Sequence, residues 1–229
     1  MKEVPASVWE RLGLRVLNLN QNHLTSIPPE IGRLKSLKVL ILAENGLTSL
    51  AEEIGQLTNL RTLDLGHNQL HRLPRAFSNL KGLKDYLYLH DNRLTELDED
   101  LFDHFVDLRY LNLSGNSGLR LPGSIAALRN LEELRLEGLS LTALPEWIGS
   151  LASLEELSLR NNRLESLPES FAELARLRRL DLRVNQLRSL PGVLSGLPKL
   201  TKVDLRWNPL ECDSQQLNGL RGRQCRVLL

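Results

Sequence analysis

Leu60 to Leu70 reads LRTLDLGHNQL, with leucine at the first, fourth, sixth and eleventh places and asparagine at the ninth. The asparagine place recurs at Asn22, Asn45, Asn68, Asn92, Asn116, Leu139, Asn162, Asn185 and Asn208, in steps of 23 or 24 residues. Nine copies in register constrain the chain more than any other feature. One such phrase cannot bury its leucines alone, so it must stack against copies before and after it.

The physics of one copy follows from its spacing. Alternate residues of a strand point to opposite faces, so Leu63 and Leu65 go inward while Thr62, Asp64 and Gly66 face out. Stacked copies then make a parallel sheet. The asparagine leaves the strand, where its amide can satisfy backbone groups of the turn and of adjacent coils. Pro28, Pro74, Pro122, Pro145, Pro168 and Pro191 are expected to start a short helical or 3₁₀ segment, where a missing N–H does no harm. Ile31, Ile54, Phe77, Ile148 and Phe171 are expected to fix that outer segment to the core. Because helical segments are wider than strands, the coil should bend with its strands on the concave side. The fold class is α/β: a curved right-handed solenoid of about nine repeats.

The unit LRVLNLNQNHLTSIPPEIGRLKS (Leu14 to Ser36) resembles the leucine-rich repeat family, and the resemblance runs from about Leu14 to Leu210. The tail LPEWIGSLASL (Leu144 to Leu154) resembles the 23-residue subclass of intracellular Ras-binding, Scribble-type, plant intracellular and bacterial cytosolic repeat proteins. The resemblance implies a non-enzymatic protein-binding module, intracellular and cytoplasmic, or delivered into a host cytoplasm as an effector.

Composition agrees. Aromatic residues are 4% of the chain and Met1 is the single methionine, so leucine must build nearly all of the core. A net charge of +1 offers no basic field for nucleic acid. No apolar run approaches the roughly 18 residues a membrane span needs. The first residues, MKEVPASVWERLGLRV, carry charges throughout and show no signal-peptide pattern. A monomer is expected.

One domain over 1–229 is expected, with repeats over 14–210 and caps at 1–13 and 211–229. Val4, Val8, Trp9 and Leu12 should cover the first leucine layer. At the other end a short helix carrying Leu217 and Leu220 should lead to an apolar strand over Cys225 to Leu229. Cys212 and Cys225 are too few for a disulfide scaffold and are read as reduced thiols, with a bridge between them as the alternative.

Function must then live in the outward columns. The column before the paired leucines runs Val16, Val39, Thr62, Tyr86, Tyr110, Glu133, Glu156, Arg179, Lys202. The column after them ends in Arg160, Arg183 and Arg206. The early repeats are thus small and apolar, the fourth and fifth aromatic, the later ones charged. All three tyrosines of the chain fall in one patch, and tyrosine combines contact area, few rotors and a polar tip. The candidate partner-binding residues are Tyr86, Tyr88, His90 and Tyr110, flanked by Asn112, Glu133, Arg135, Glu156, Arg160, Arg183 and Arg206. The acidic set Glu132, Glu133, Glu155 and Glu156 and the arginine column each place like charges on adjacent strands. They read equally as a solvated face of mutually neutralising charge or as a steering surface for a partner.

Four irregularities cluster in repeats four to six. LKDYLYLHDN (Leu83 to Asn92) and LDEDLFDHFVDL (Leu97 to Leu108) each carry one extra residue, NSGLRLP (Asn116 to Pro122) shifts a leucine, and Leu139 replaces the asparagine. Irregularity in a uniform array often accompanies function.

Dedicated chemistry is not signalled. His67, His71 and His90, with Asp64 and Asp91, fall near one another but lack the tight spacing of dedicated zinc sites, and read as solvated surface residues. Neither cysteine has a matched histidine for nucleophilic work, and no phosphate-binding glycine motif occurs. No cofactor and no metal is expected. The expected function is capture of a protein partner on the concave face. Its rivals are the recognition part of a larger enzyme, of ubiquitin-ligase-effector or kinase type, and a scaffold without a single partner.

Overall fold

The computed structural model describes residues 1–211, 220, 222 and 224–229. They belong to two compact units, Met1–Leu128 and Arg129–Leu229. In the first, strands β1 (Val16–Asn18), β2 (Val39–Ile41), β3 (Thr62–Asp64), β4 (Tyr86–Tyr88) and β5 (Tyr110–Asn112) pair in parallel and in chain order. In the second, β6 (Glu133–Arg135), β7 (Glu156–Ser158), β8 (Arg179–Asp181), β9 (Lys202–Asp204) and β10 (Arg226–Leu228) do the same. The register aligns equivalent places of the repeat. Leu40 faces Leu63, Leu63 faces Leu87, and Leu157 faces Leu180, all of them buried. The leucine-layered solenoid expected from the repeat is therefore what forms.

Opposite the strands lie 3₁₀ turns such as Pro29–Arg33, Arg75–Asn79, Glu146–Ser150 and Glu169–Glu173. Here the expectation about proline needs correction. Pro28, Pro74, Pro122, Pro145, Pro168 and Pro191 do not open the turn but precede it as extended N-cap residues, with φ between −61° and −74° and ψ between 121° and 160°. Their carbonyls accept the first N–H of the turn, as Pro74 does from Phe77 at 3.0 Å. The ring fixes φ for that entry and costs no donor. Ile31, Ile54, Phe77, Ile148 and Phe171 are all buried, as the anchoring role requires. Where the fourth repeat has no proline, Asp100 precedes the turn Leu101–His104 as its N-cap residue. Phe102 and Phe105 are fully buried there, at 6.1 Å from one another, and Phe105 meets Phe77 at 6.3 Å. Phe102 is an anchor.

The asparagines close the layers. Asn92 Nδ2 donates to Leu65 O at 2.9 Å in the preceding coil and to Leu89 O at 3.1 Å in its own, while its Oδ1 accepts from Leu70 N at 2.9 Å. Asn68, Asn116, Asn162 and Asn185 repeat this pattern. One amide thus satisfies donors and acceptors on two coils at once, which buried backbone requires. Leu139 fills its place as a buried hydrophobic residue. Asn162 reaches back to that coil, its Oδ1 accepting from both Leu139 N and Leu141 N.

A rule not read from the sequence governs the residue before each asparagine. Gln21, Glu44, His67, Asp91, Asn161, Val184 and Trp207 all have φ between 52° and 62°, apart from Asp91 at 49°, and Gly115 and Gly138 occupy the same place at 73° and 66°. A left-handed residue turns the chain out of the strand at every coil. Glycine suits it without strain, and Val184, being β-branched, suits it least.

The extra residue of the fourth repeat is absorbed before β4. Lys84 N and Asp85 N share the Arg61 carbonyl, while Arg109 N and Tyr110 N bond separately to Lys84 O and Asp85 O. This bulge leaves Tyr86 opposite Thr62 and Tyr88 opposite Asp64, so the insertion does not disturb the columns.

At the first end Trp9 is buried and Val4 and Val8 are half-buried, whereas Leu12, expected in the same cover, is 53% exposed. At the other end β10 provides the expected strand, and Leu220 is buried. Cys225 is a free, buried thiol. Burial pushes its pKa up against an opposing backbone hydrogen bond at Val203. Cys212 and Leu217 lie outside the described residues.

Candidate functional site

The first unit carries an aromatic strip on the strand face opposite its leucines. Strand alternation puts Tyr86 and Tyr88 outward on β4, their rings stacked at 6.0 Å and 14°. Tyr110 of β5 stands opposite Tyr86 and touches both rings, with centroids 5.6 Å and 4.7 Å away. His90 continues the strip edge-on to Tyr88 at 5.9 Å, and His67 meets His90 edge-on at 4.8 Å. Toward β1 the same columns carry Val39, Ile41 and the 54%-exposed Val16.

The structure grades the expected contact residues. Tyr86 is 47% exposed, and Tyr88 and His90 are half-buried. Tyr110 and Asn112, expected as contacts, are buried at 9% and 8%. Tyr110 underpins the two β4 rings. Asn112 spends its Oδ1 on the Ser114 N–H at 3.0 Å, closing the strand end. Asp64 does the same for Gly66 N at 2.9 Å, so its carboxylate is partly committed. These two are structural at their outward places.

Beside the strip, His67 Nδ1 lies 3.4 Å from Asp91 Oδ2. His67, His90 and Asp91 each offer one ligand atom, all within 4.8 Å of one another. Gly66 makes this arrangement fit. A Cβ there would come within 2.2 Å of His90 Cε1, so the imidazole occupies space that another residue would fill. His71 and Asp64 are not members of the cluster.

The second unit carries charge, and the charges are mostly paired. Arg135 Nε donates to Glu133 Oε1 at 2.6 Å, Arg178 pairs with Glu155 at 3.4 Å, and Arg179 pairs with Glu156. The adjacent glutamates of β6 and β7 are thus neutralised individually. The arginine column is treated similarly. Arg183 grips Asp181, with Nε at 2.9 Å from either carboxylate oxygen, and Arg206 grips Asp204 at 2.9 and 2.7 Å. Arg183 also approaches Asp204 at 3.7 Å. Arg160 is exposed and, among the described residues, makes no ion pair.

Titration follows this pairing. Burial alone would raise the Asp204 carboxyl, but hydrogen bonds from the Arg206 side chain and backbone, with the charges of Arg206 and Arg183, hold it below the ordinary carboxylate value. The Asp181 hydrogen bond raises Arg183, and the Asp204 hydrogen bond raises Arg206. Asp181 and Asp204 were missed as site members. Their signal was present as acid–x–Arg on a strand, which places both side chains on one face two residues apart. Arg206 also lies 5.3 Å above the exposed ring of Trp207.

The leucine rich repeat family model matches residues 12–70, 35–85, 85–141, 129–187 and 152–210. The chain belongs to the leucine-rich repeat family. A leucine-rich repeat protein of Leptospira interrogans is similar over 100% of this chain and 70% of its own, at 30% identity and a TM-score of 0.64. The plant peptide hormone receptor RGFR1, in complex with RGF2, is 30% identical over 95% of this chain and 35% of its own, with a TM-score of 0.77. The ectodomain of the membrane receptor kinase GASSHO1/SCHENGEN3 from Arabidopsis thaliana, in complex with CASPARIAN STRIP INTEGRITY FACTOR 2, is 30% identical over 91% of this chain and 26% of its own, at 0.78. The chain thus spans about a third or less of the two plant receptors. No curated protein matches the sequence. Among the described residues, no helix is long and apolar enough to cross a membrane.

Proposed function

We propose that the protein is a non-enzymatic interaction module that takes a protein partner on the outward strand face, the concave side of the family's coil. The observation that carries this is the aromatic strip. Tyr86 stands 47% exposed on the buried ring of Tyr110, with Val16, Val39 and Thr62 before it in the same column. A rigid, half-exposed aromatic anchor is the residue type that dominates binding hot spots. Structural neighbours include a plant peptide hormone receptor in complex with RGF2 and the receptor kinase HAESA in complex with the peptide hormone IDA, which supports a protein or peptide chain as the ligand class. The paired acids and arginines of the second unit supply orientation and discrimination more than affinity, since each charge already has a partner. Arg160 is the exception and the member of that set most open to an acidic partner.

The array over 14–210 acts as one module in this reading. The LPxxIGxLxxL tail, which resembles the intracellular subclass, supports a cytoplasmic signalling or effector role, and we take the module to be monomeric. The rival reading, recognition part of a larger enzyme, draws support from one neighbour being the ectodomain of a receptor kinase. Affinity capture from the native source, with mass spectrometry, tests the binding surface. Tyr86→Ala/Tyr88→Ala should lose the partners that the parent retains while melting at nearly the same temperature. Recovery of the same partners by both proteins removes the aromatic strip from the reading.

A further inference from the structure

We propose that His67, His90 and Asp91 form a binding site for a divalent transition ion of the zinc class. The three come from two successive coils and are placed by the backbone. His67 N bonds to His90 O at 3.0 Å, Asn68 N to Asp91 O at 3.1 Å, and Asp91 N to Ser114 O at 2.8 Å. His67 and Asp91 both sit at the left-handed place of their repeats, with φ of 52° and 49°. The loop geometry of each coil therefore aims the two side chains from equivalent positions.

The distances suit the ion. Ligands held about 2.0–2.1 Å from a tetrahedral zinc lie about 3.3–3.4 Å apart. His67 Nδ1 and Asp91 Oδ2 are 3.4 Å apart, the length of one tetrahedral edge. His90 offers a ring nitrogen within 4.8 Å of both, and a bound ion would draw it in by up to about 1.4 Å. Two glycines keep the site open. A Cβ at Gly66 would meet His90 Cε1 at 2.2 Å, and a Cβ at Gly115 would meet Asp91 Oδ1 at 2.1 Å. Two imidazole nitrogens and one carboxylate favour zinc, nickel, cobalt or copper over magnesium. Three protein ligands leave the fourth position of a tetrahedron for water or for a group from outside the chain. The site stands independently of the partner reading, since it rests on ligand geometry alone.

Titration calorimetry with zinc chloride on tag-free, chelator-treated full chain tests it. One ion should bind per chain, and His67→Ala and Asp91→Asn should each weaken binding by about tenfold or more. His71→Ala should leave the affinity unchanged, and magnesium chloride should give no binding heat. His67 and Asp91 side chains are 55% and 48% exposed, so neither substitution threatens folding, and unchanged circular dichroism and melting check this. Zinc-dependent elevation of the parent melting temperature, lost in both variants, is the second readout. Absence of zinc binding, or equal affinity in parent, His67→Ala and Asp91→Asn, overturns the site and leaves a surface histidine–aspartate contact.

Discussion

Tyr88 and Tyr110 lie ring to ring at 4.7 Å across β4 and β5, yet one is half-buried and the other 9% exposed. The tyrosines therefore divide into a presented group and a supporting one. Tyr110→Ala removes a covered ring and should cost about 2–4 kcal/mol, close to other large core truncations. Tyr86→Ala removes a ring 47% exposed and should stay within about 1 kcal/mol. Urea titration of both variants checks the division, and equal losses would place Tyr86 among the supports.

The asparagine ladder makes a sharper stability claim. Asn116 is fully buried and bonds Leu89 O, Leu113 O and Leu94 N at 3.0, 2.8 and 3.1 Å. Asn116→Ala would orphan groups on two coils and should cost about 2–4 kcal/mol, since each buried unsatisfied group costs about 1–3. Asn22 bonds only within its own turn and to the terminal amine, and is half-buried. Asn22→Ala should cost under about 1 kcal/mol. Chemical denaturation of the pair decides whether reach between coils sets the energy.

Val184 holds φ at 57° where other repeats place glycine or a side chain without a branch at Cβ. A left-handed backbone costs a β-branched residue about 1–2 kcal/mol. Val184→Asn keeps the turn and should raise the melting temperature, with a gain of up to about 1 kcal/mol after lost packing. A lower melting temperature would mean that the half-buried valine packs more than it strains.

Asp204 predicts a pH dependence. Its carboxyl is held below the usual value in the folded chain, so the unfolded chain binds the proton more readily. Its contribution is fully present above the unfolded pKa of about 3.9 and is lost as pH falls through the lower folded value. Between about pH 5 and pH 2 the parent should lose stability more steeply than Asp204→Asn. Parallel curves would show that Asp204 is not the titrating contact.

Much of this was legible in the repeat. Leucine spacing dictated the inward layer, and the aligned outward columns follow once the strands pair in parallel. The column lists therefore identified Tyr86, Tyr88 and Tyr110 as neighbours, and Arg183 and Arg206 as a stack. They did not distinguish presented from covered. Asn112 looked like a contact and proved to be a cap on the end of β5, because its amide satisfies a backbone donor two residues on. For Arg183 and Arg206 the columns left a neutralised face and a steering surface equally open, and the structure pairs them with Asp181 and Asp204 two residues back on the same strands.

The sequence by itself determined the fold, because nine copies of one leucine and asparagine pattern have no other way to bury their apolar faces and pair their backbone groups. Only the tertiary structure decided which outward residues are exposed and which meet. Exposure depends on the volume of side chains one coil away, as with His90 lying over Gly66. The meeting of His67 with Asp91 likewise depends on a left-handed residue that repeats at every coil but leaves no residue type of its own in the sequence.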